Sequence, residues 1–588
     1  MRGRKNLSPN WKLVALPLLI LAAPALAKEP PATGTLVDNV VGVTPDGKGG
    51  LERFTGLLID EQGRLAAVYR DSDKRPKRVA FKVDGKGRVV VPGMIDAHVH
   101  IMETGFAKMT LDLSGARSLE EALVMVRAYV AAHPDRAWIE GGGWNQANWA
   151  KDAAGVDRMP TAAELDRVTG GKPAFLSRVD NHAAWVNSAA LAAARVTEGT
   201  ADPAGGRIER VGGSRKPAGV LVDAAQDLVR AKLPPPRPSD RDTAFGEAQL
   251  EFLRQGVTAV ADMGTTIQDW QAYRRAGDAG NLRIRIVSYA KGVDAMELIG
   301  GSGPSAWLYG DRLKIQGVKL YLDGALGSRG AWLKAPYADA PETSGLPRMN
   351  ETQLGNLMSR AAIDNFQVAV HAIGDKANET ALDTIAQLSD TYKGDRRWRI
   401  EHAQVLAPAD IARFVQHGTI ASMQPQHQAS DRTMAEARLG PQRLAGAYAW
   451  KSVAATGARL AFGSDTPVEP PSPFVGLAVA VSRQGADGQP SGGWQPQERL
   501  TLAQALSAYT SGAAYAMFAE DRLGRIARGM KADFLFVDRD PTTATPDALR
   551  QTKVLETWIN GVQAWSAARG VAKQSPASAQ PRKDDGGR

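Results

Sequence analysis

Through the middle of the chain, short apolar runs rich in Val, Ile, Leu and Ala recur between longer stretches of helical period. Runs of that kind read as strands buried on both faces. Eight stand out: Met94 to Val99, Val257 to Met263, Ile284 to Tyr289, Val318 to Leu322, Val368 to His371, Trp398 to His402, Thr419 to Met423 and Leu460 to Gly463. Strands alternating with helices predict an α/β protein of repeated βα units around a parallel sheet, and eight repeats are those of a (β/α)8 TIM barrel. An open doubly wound sheet competes with it, but no glycine-rich nucleotide loop follows the first strand. Between the first and second strands lies a long insertion, about residues 107–255. It holds further strand-like runs such as Pro173-Ala174-Phe175-Leu176 and reads as a subdomain covering the barrel mouth.

The two ends of the chain have a different pattern. From Gly34 to Val91 short apolar segments alternate with Gly and charged turns, as in Gly56-Leu57-Leu58-Ile59-Asp60, and similar segments return at Ala532 to Val537 and Val554 to Ile559. They predict a small β-sandwich domain formed from both chain ends, residues 28–92 and 521–568, flanking a barrel domain of residues 93–520. At 588 residues the chain exceeds what one core serves, which fits a large domain with a smaller companion. Residues 569–588, rich in Lys, Pro, Ser, Asp and Gly, predict a disordered tail.

Residues 1–27 run from a basic start through the apolar Leu13 to Leu21 to Ala25-Leu26-Ala27, the order of a secretory leader. The apolar run is shorter than the ~20 residues of a spanning helix. An exported, periplasmic or secreted protein beginning near Lys28 is expected, without stable membrane insertion once the leader is removed. The net charge of +9 is scattered, so no nucleic-acid partner is expected. With no cysteine, disulfides and thiolate metal sites are excluded, and any metal must be held by His and oxygen ligands.

The strongest chemical signal is Asp96-Ala97-His98-Val99-His100. Residues two apart in a strand face one side, so His98 and His100 converge as half of a metal site, in a chain with only eight His. His371 closes the fifth strand, His402 closes the sixth, and Asp465 follows the eighth. These are the C-terminal strand ends, where barrels of this kind keep their active sites. Lys319 interrupts the apolar fourth strand, where an inward-facing ammonium is disfavoured. Two readings stand: a pair with Asp323, or a lysine of depressed pKa that reacts with carbon dioxide to give a carboxylate able to bridge two metals.

Taken together, His98, His100, Lys319, His371, His402 and Asp465 resemble the ligand set of binuclear amidohydrolases. More narrowly, the chain resembles the amidohydrolase-3, or YtcJ-like, family, which includes N-substituted formamide deformylases. The resemblance rests on Gly143-Trp144-Asn145, Asp180-Asn181-His182, Leu322-Asp323-Gly324 through Arg329, His371-Ala372-Ile373-Gly374-Asp375 and Gly463-Ser464-Asp465-Thr466-Pro467. It implies a metal-dependent hydrolase that attacks a carbon–nitrogen bond of a small amide or N-formyl compound with metal-activated water. One or two divalent ions are expected, zinc first. Asp465 is the expected acid/base, and the resemblance offers His182 as a stabiliser of the substrate carbonyl. Trp144, Tyr321, Asp323, Arg329 and His427 are candidates for the substrate pocket. Nucleobase deaminases on this barrel carry His-x-x-Glu after strand five, and the chain has Gly374 at the Glu position. Phosphotriester hydrolysis uses a similar site, and a non-catalytic periplasmic binding protein is the alternative from another class. A small-molecule substrate is expected, and a homo-oligomer is compatible with all of these readings.

Overall fold

A computed structural model describes residues 34–149 and 158–571. The expected leader and most of the expected tail lie outside these residues.

All eight expected strands form one parallel sheet in chain order: Met94–Val99, Val257–Thr265, Arg285–Lys291, Leu313–Tyr321, Gln367–Ala372, Arg399–His402, Ile420–Met423 and Leu460–Phe462. They are called strands one to eight below. Beyond strand eight the chain turns back onto strand one. The Asp465 N–H donates to the His98 carbonyl (2.7 Å), the His100 N–H donates to the Thr466 carbonyl (2.9 Å), and Val99 and Thr466 form a parallel bridge that closes the ring. This approach needs a glycine at 463, where a Cβ would meet the His98 nitrogen at 2.6 Å and Asp96 Oδ1 at 2.7 Å.

Strand four starts five residues earlier than its apolar run suggests, because Lys314 and Gln316 break the pattern and are nevertheless buried. The Lys314 ammonium lies over the Trp307 ring (5.3 Å), and burial pushes its pKa down to about 8.

The insertion forms a six-stranded sheet between Leu111 and Asp223, with an apolar cluster on each face. It is shorter than residues 107–255. Helix Pro238–Arg254 packs Ala244, Phe245, Ala248 and Phe252 into the main barrel core, and its Ala244 carbonyl lies where a side chain at Gly105 would be, 2.0 Å from an added Cβ. An amphipathic helix directly before strand two is thus the barrel's own outer helix.

The two chain ends meet as expected, in a single nine-stranded sheet branched at Thr35–Pro45 rather than as two separate sheets. Thr35–Pro45 pairs in parallel with both Phe81–Asp84 and Val89–Pro92, the change of partner coinciding with a register shift between Asp38 and Gly42. Val89–Pro92 in turn pairs antiparallel with Phe534–Val537, joining the N- and C-terminal pieces. The last strand, Gly570–Val571, carries the sheet past residue 568, so its first residues belong to the sheet and not to the tail. Among the described residues no helix is long and apolar enough to cross a membrane.

A buried ion pair ties this sheet to the barrel. Arg285 of strand three donates through Nε and Nη2 to the two carboxylate oxygens of Asp533 (2.6 and 2.8 Å), with side chains 0% and 6% exposed. Asp533→Ala would leave the guanidinium buried without its counter-charge, and a cost of ~3–5 kcal/mol is expected in urea unfolding. Burial opposes ionisation of Asp533, but Arg285 holds its pKa below the ordinary value. The contribution is therefore present at neutral pH and is lost as pH falls from the unfolded value of ~3.9 through the lower folded one. A wild-type unfolding midpoint in the variant would show that the pair adds nothing.

Candidate metal centre

The C-terminal ends of strands one, four, five, six and eight bring the six expected ligands together. His98 Nε2 and His100 Nε2 lie 3.3 and 3.2 Å from Asp465 Oδ1. Lys319 Nζ is 3.2 Å from His98 Nε2. The His402 ring centroid lies 4.8 Å from that of His98 and 4.5 Å from that of His371. Two sets of donor atoms have the spacing to hold a metal, His98 with His100 and Asp465, and His402 with His427 and the same Asp465. His402, Ala403 and Asp465 all have positive φ (75°, 43° and 60°), a backbone conformation that non-glycine residues adopt when their surroundings impose it.

Neighbouring polar groups orient these rings. Glu401 Oε2 engages His98 Nδ1 (2.7 Å), which turns Nε2 toward Asp465, and Arg399 holds Glu401 Oε1 through Nε (2.7 Å). Arg399 also donates to the Ala97 carbonyl (2.7 Å). Gln424 Oε1 engages His402 Nδ1 (2.9 Å). Partners of this kind fix the tautomer and orientation of metal-binding imidazoles. Ligand reasoning at the strand ends passed over Arg399, Glu401 and Gln424. The signal for the first two was Arg399-Ile400-Glu401, opposite charges two apart on one face of a buried strand, which must be paired.

Burial dominates the electrostatics. It pushes His98 down to about 4 and drives His371 and His402 far below the usual histidine value, so all three imidazoles are neutral, as ligation requires. It also pushes the Lys319 amine down to about 8. Burial opposes ionisation of Asp465 too, yet His98, His100 and His427 around it hold its carboxyl well below the ordinary range. His427 differs from the other imidazoles. Burial opposes its protonation, but contacts with Asp465 (3.3 Å) and Glu469 (3.5 Å) push it up to about 10. That makes it a hydrogen-bond partner of Asp465 more than a lone-pair donor. Asp465 Oδ1 and His371 Nε2 are buried without a hydrogen-bond partner. Neutral imidazoles, an ionised carboxylate and orphaned buried acceptors fit a divalent metal ion.

Of the pocket candidates, Tyr321 is at the centre, its ring 5.6 Å from that of His371 and under the Lys319 ammonium. His182 reaches the mouth from the insertion, with its ring 5.2 Å from that of His371 and Nδ1 held by the buried Asp223 (2.6 Å). Three others are taken up by partners of their own. Trp144 is in the core of the insertion with Trp149 and Trp185, and its Nε1 donates to the Leu176 carbonyl (2.7 Å). Arg329 is paired with Asp339 (2.9 Å). Asp323 is fully buried and accepts the N–H groups of Trp332, Ile373 and Gly374, with Oδ1 also 3.5 Å from His371 Nε2, so it supports the His371 ring and the loop after it, and no contact pairs it with Lys319. A side chain at 374 would meet the Trp332 carbonyl oxygen at 2.0 Å, which leaves no room for the glutamate of a deaminase.

Known proteins resemble this chain along most of its length. The Amidohydrolase family matches residues 82–564, and the chain belongs to it. The putative amidohydrolase YtcJ of Bacillus subtilis (strain 168) is 34% identical over 528 residues, covering 86% of this chain and 97% of that protein. An N-substituted formamide deformylase of Arthrobacter pascens is 28% identical, over 85% of this chain and 93% of the other. Among solved structures, an uncharacterized metal-dependent hydrolase from Pyrococcus horikoshii OT3 superposes with a TM-score of 0.69 at 28% identity, over 87% of this chain and 99% of that one. The protein is a hydrolase of the amidohydrolase class.

Glu401→Gln keeps the shape of the group behind His98 but removes the charge that draws the proton to Nδ1. Metal affinity should fall by ~10–100-fold with the fold intact, measured by titrating stripped protein with zinc. Unchanged affinity would mean that Glu401 does not orient His98.

Proposed function

We propose that this chain hydrolyses a carbon–nitrogen bond of a small amide or N-formyl compound at the barrel mouth. The observation that carries the reading is the Asp465 carboxylate set between His98, His100 and His427, with one buried oxygen unpartnered. The similarity to the N-substituted formamide deformylase of Arthrobacter pascens supports the N-formyl class.

His98, His100, His371, His402 and Asp465 would hold the metal, with zinc first for a nitrogen and oxygen set. Lys319 would join them as an N-carboxylate bridging two ions. A buried site that lowers the pKa of its amine to about 8, so that more of the reactive neutral form is present than on a surface lysine, and that turns it toward His98 and not Asp323, supports that assignment. When bound, a divalent ion lowers the pKa of a water from 15.7 to about 7 and polarises the carbonyl.

The other steps belong to the chain's own residues. Asp465 takes the proton of the attacking water and delivers it to the departing nitrogen, with His427 steadying its second oxygen. His182, fixed through Nδ1 by Asp223, offers its other ring nitrogen to the carbonyl oxygen as charge develops there. Tyr321 and the insertion narrow the mouth around a small molecule. Export follows from the leader pattern, with the mature chain starting near Lys28.

Asn at 465 retains a ligand oxygen but cannot accept the proton. Asp465→Asn should stay folded and lose turnover of an N-formyl amine by ~10²–10⁴-fold. His182→Ala should leave metal content unchanged and lower kcat. Wild-type turnover in Asp465→Asn would move the acid/base role to another residue.

A further inference from the structure

Arg348 sits where the insertion meets the barrel, on the segment that follows strand four. Its backbone N–H donates to the Leu322 carbonyl (2.8 Å), which pins the segment to the strand end, and an added Cβ at Gly205 of the insertion would lie 3.4 Å from the Arg348 Cα. The guanidinium lies over the Tyr321 ring (5.5 Å), whose own neighbour is His371, so one tyrosine ring separates it from the metal cluster.

Its partners do not satisfy it. Among the described residues the guanidinium makes no hydrogen bond, and its nearest acceptor is Asp223 Oδ1 at 3.5 Å. That oxygen is already engaged by His182 Nδ1 at 2.6 Å. Asp223 Oδ2 faces Gly324 and Gly330, each of which would place a Cβ within 2.6 Å of it, so the carboxylate is turned into the barrel wall. One buried carboxylate thus serves both His182 and Arg348. The side chain is 30% exposed where the insertion meets the barrel, so part of its fork of five donors is accessible to a ligand. Of the acids acting on Tyr321, Glu103 is solvent-exposed and screened, and Asp465 and Asp262 have partners of their own.

We propose that Arg348 binds a carboxylate of the substrate, so that the amide cleaved here carries an anionic group close to the scissile bond, as an N-formyl or N-acyl amino acid does. The inference rests on the carbon–nitrogen hydrolysis proposed above and goes further by naming the substrate class. A planar guanidinium with unused parallel donors matches a carboxylate in two-point contact. The guanidinium lies 5.5 Å from the Tyr321 ring, and that ring lies 5.6 Å from His371, a span that one small molecule lying across Tyr321 can cover with its carboxylate contacting Arg348 and its adjacent amide at the cluster. Asp223 then has two tasks, orienting His182 toward the carbonyl and steadying Arg348 for the carboxylate.

The test compares N-formylphenylalanine with N-formyl-2-phenylethylamine, which differs only by lacking the carboxylate. Formate release and calorimetric binding to the metal-loaded protein are measured for the wild type, Arg348→Gln and Arg348→Lys, with thermal unfolding as a check on folding. The wild type should prefer the carboxylate compound by ~10–100-fold in kcat/KM and in binding. Arg348→Gln should abolish that preference, costing the carboxylate compound far more than the neutral one, and Arg348→Lys should restore part of it. Equal handling of the two compounds by the wild type, or an equal loss for both in Arg348→Gln, would overturn the proposal. If the wild type hydrolyses neither compound, the carbon–nitrogen reading fails for this class. The binding comparison then decides the role of Arg348 alone: tighter carboxylate binding that Arg348→Gln removes supports it, and no difference overturns it.

Discussion

The structure depends on the contact that closes its barrel, the Asp465 N–H donated to the His98 carbonyl. The same two residues carry the centre of the site, so completing the ring and assembling the cluster are one event. Gly463 lets strand eight approach, Asp96 accepts the His98 and Ser464 N–H groups, and Asp465 then projects its carboxylate between His98 and His100 in a backbone conformation that this closure imposes. A barrel open at this seam would have neither a closed core nor a metal cluster.

Desolvation turns that placement into chemistry. Water is largely excluded from the strand ends, so the imidazoles are kept neutral well below their usual pKa and the Lys319 amine is lowered to about 8, while a carboxylate stays ionised among them. The Arg399–Glu401 pair beneath the cluster is internally compensated and fixes His98 without adding net charge. What remains is a set of lone pairs with too few donors, an arrangement that a cation relieves. The insertion adds the second half of the pocket, since His182 and its support Asp223 come from the inserted sheet, and Arg348 and Tyr321 from the barrel.

Much of this was legible in the chain because barrel strands are short, apolar and bounded, and because ligands at their ends carry side chains that an apolar strand does not otherwise tolerate. The convergence of His98, His100, Lys319, His371, His402 and Asp465 at the strand ends was readable for that reason. Trp144 was misplaced because an aromatic beside a glycine run looks the same in a pocket and in a core, and only the Nε1 bond to Leu176 distinguishes them. Asp323 was misplaced because a motif shows which residue is present and not which way it faces; it faces three backbone N–H groups. Asp223 and Arg348 were invisible because their significance lies in partners distant along the chain. The end of the insertion was blurred by a helix whose apolar face does not reveal which core it packs on.

The account stands or falls on whether the cluster is a working metal centre. Purified protein would be stripped with a chelator, then titrated with zinc or manganese while bound metal and hydrolysis of an N-formyl compound are followed together. The account predicts that turnover vanishes with the metal and returns as about one to two ions bind per chain. Full turnover in metal-free protein, or metal binding that leaves turnover unchanged, would contradict it.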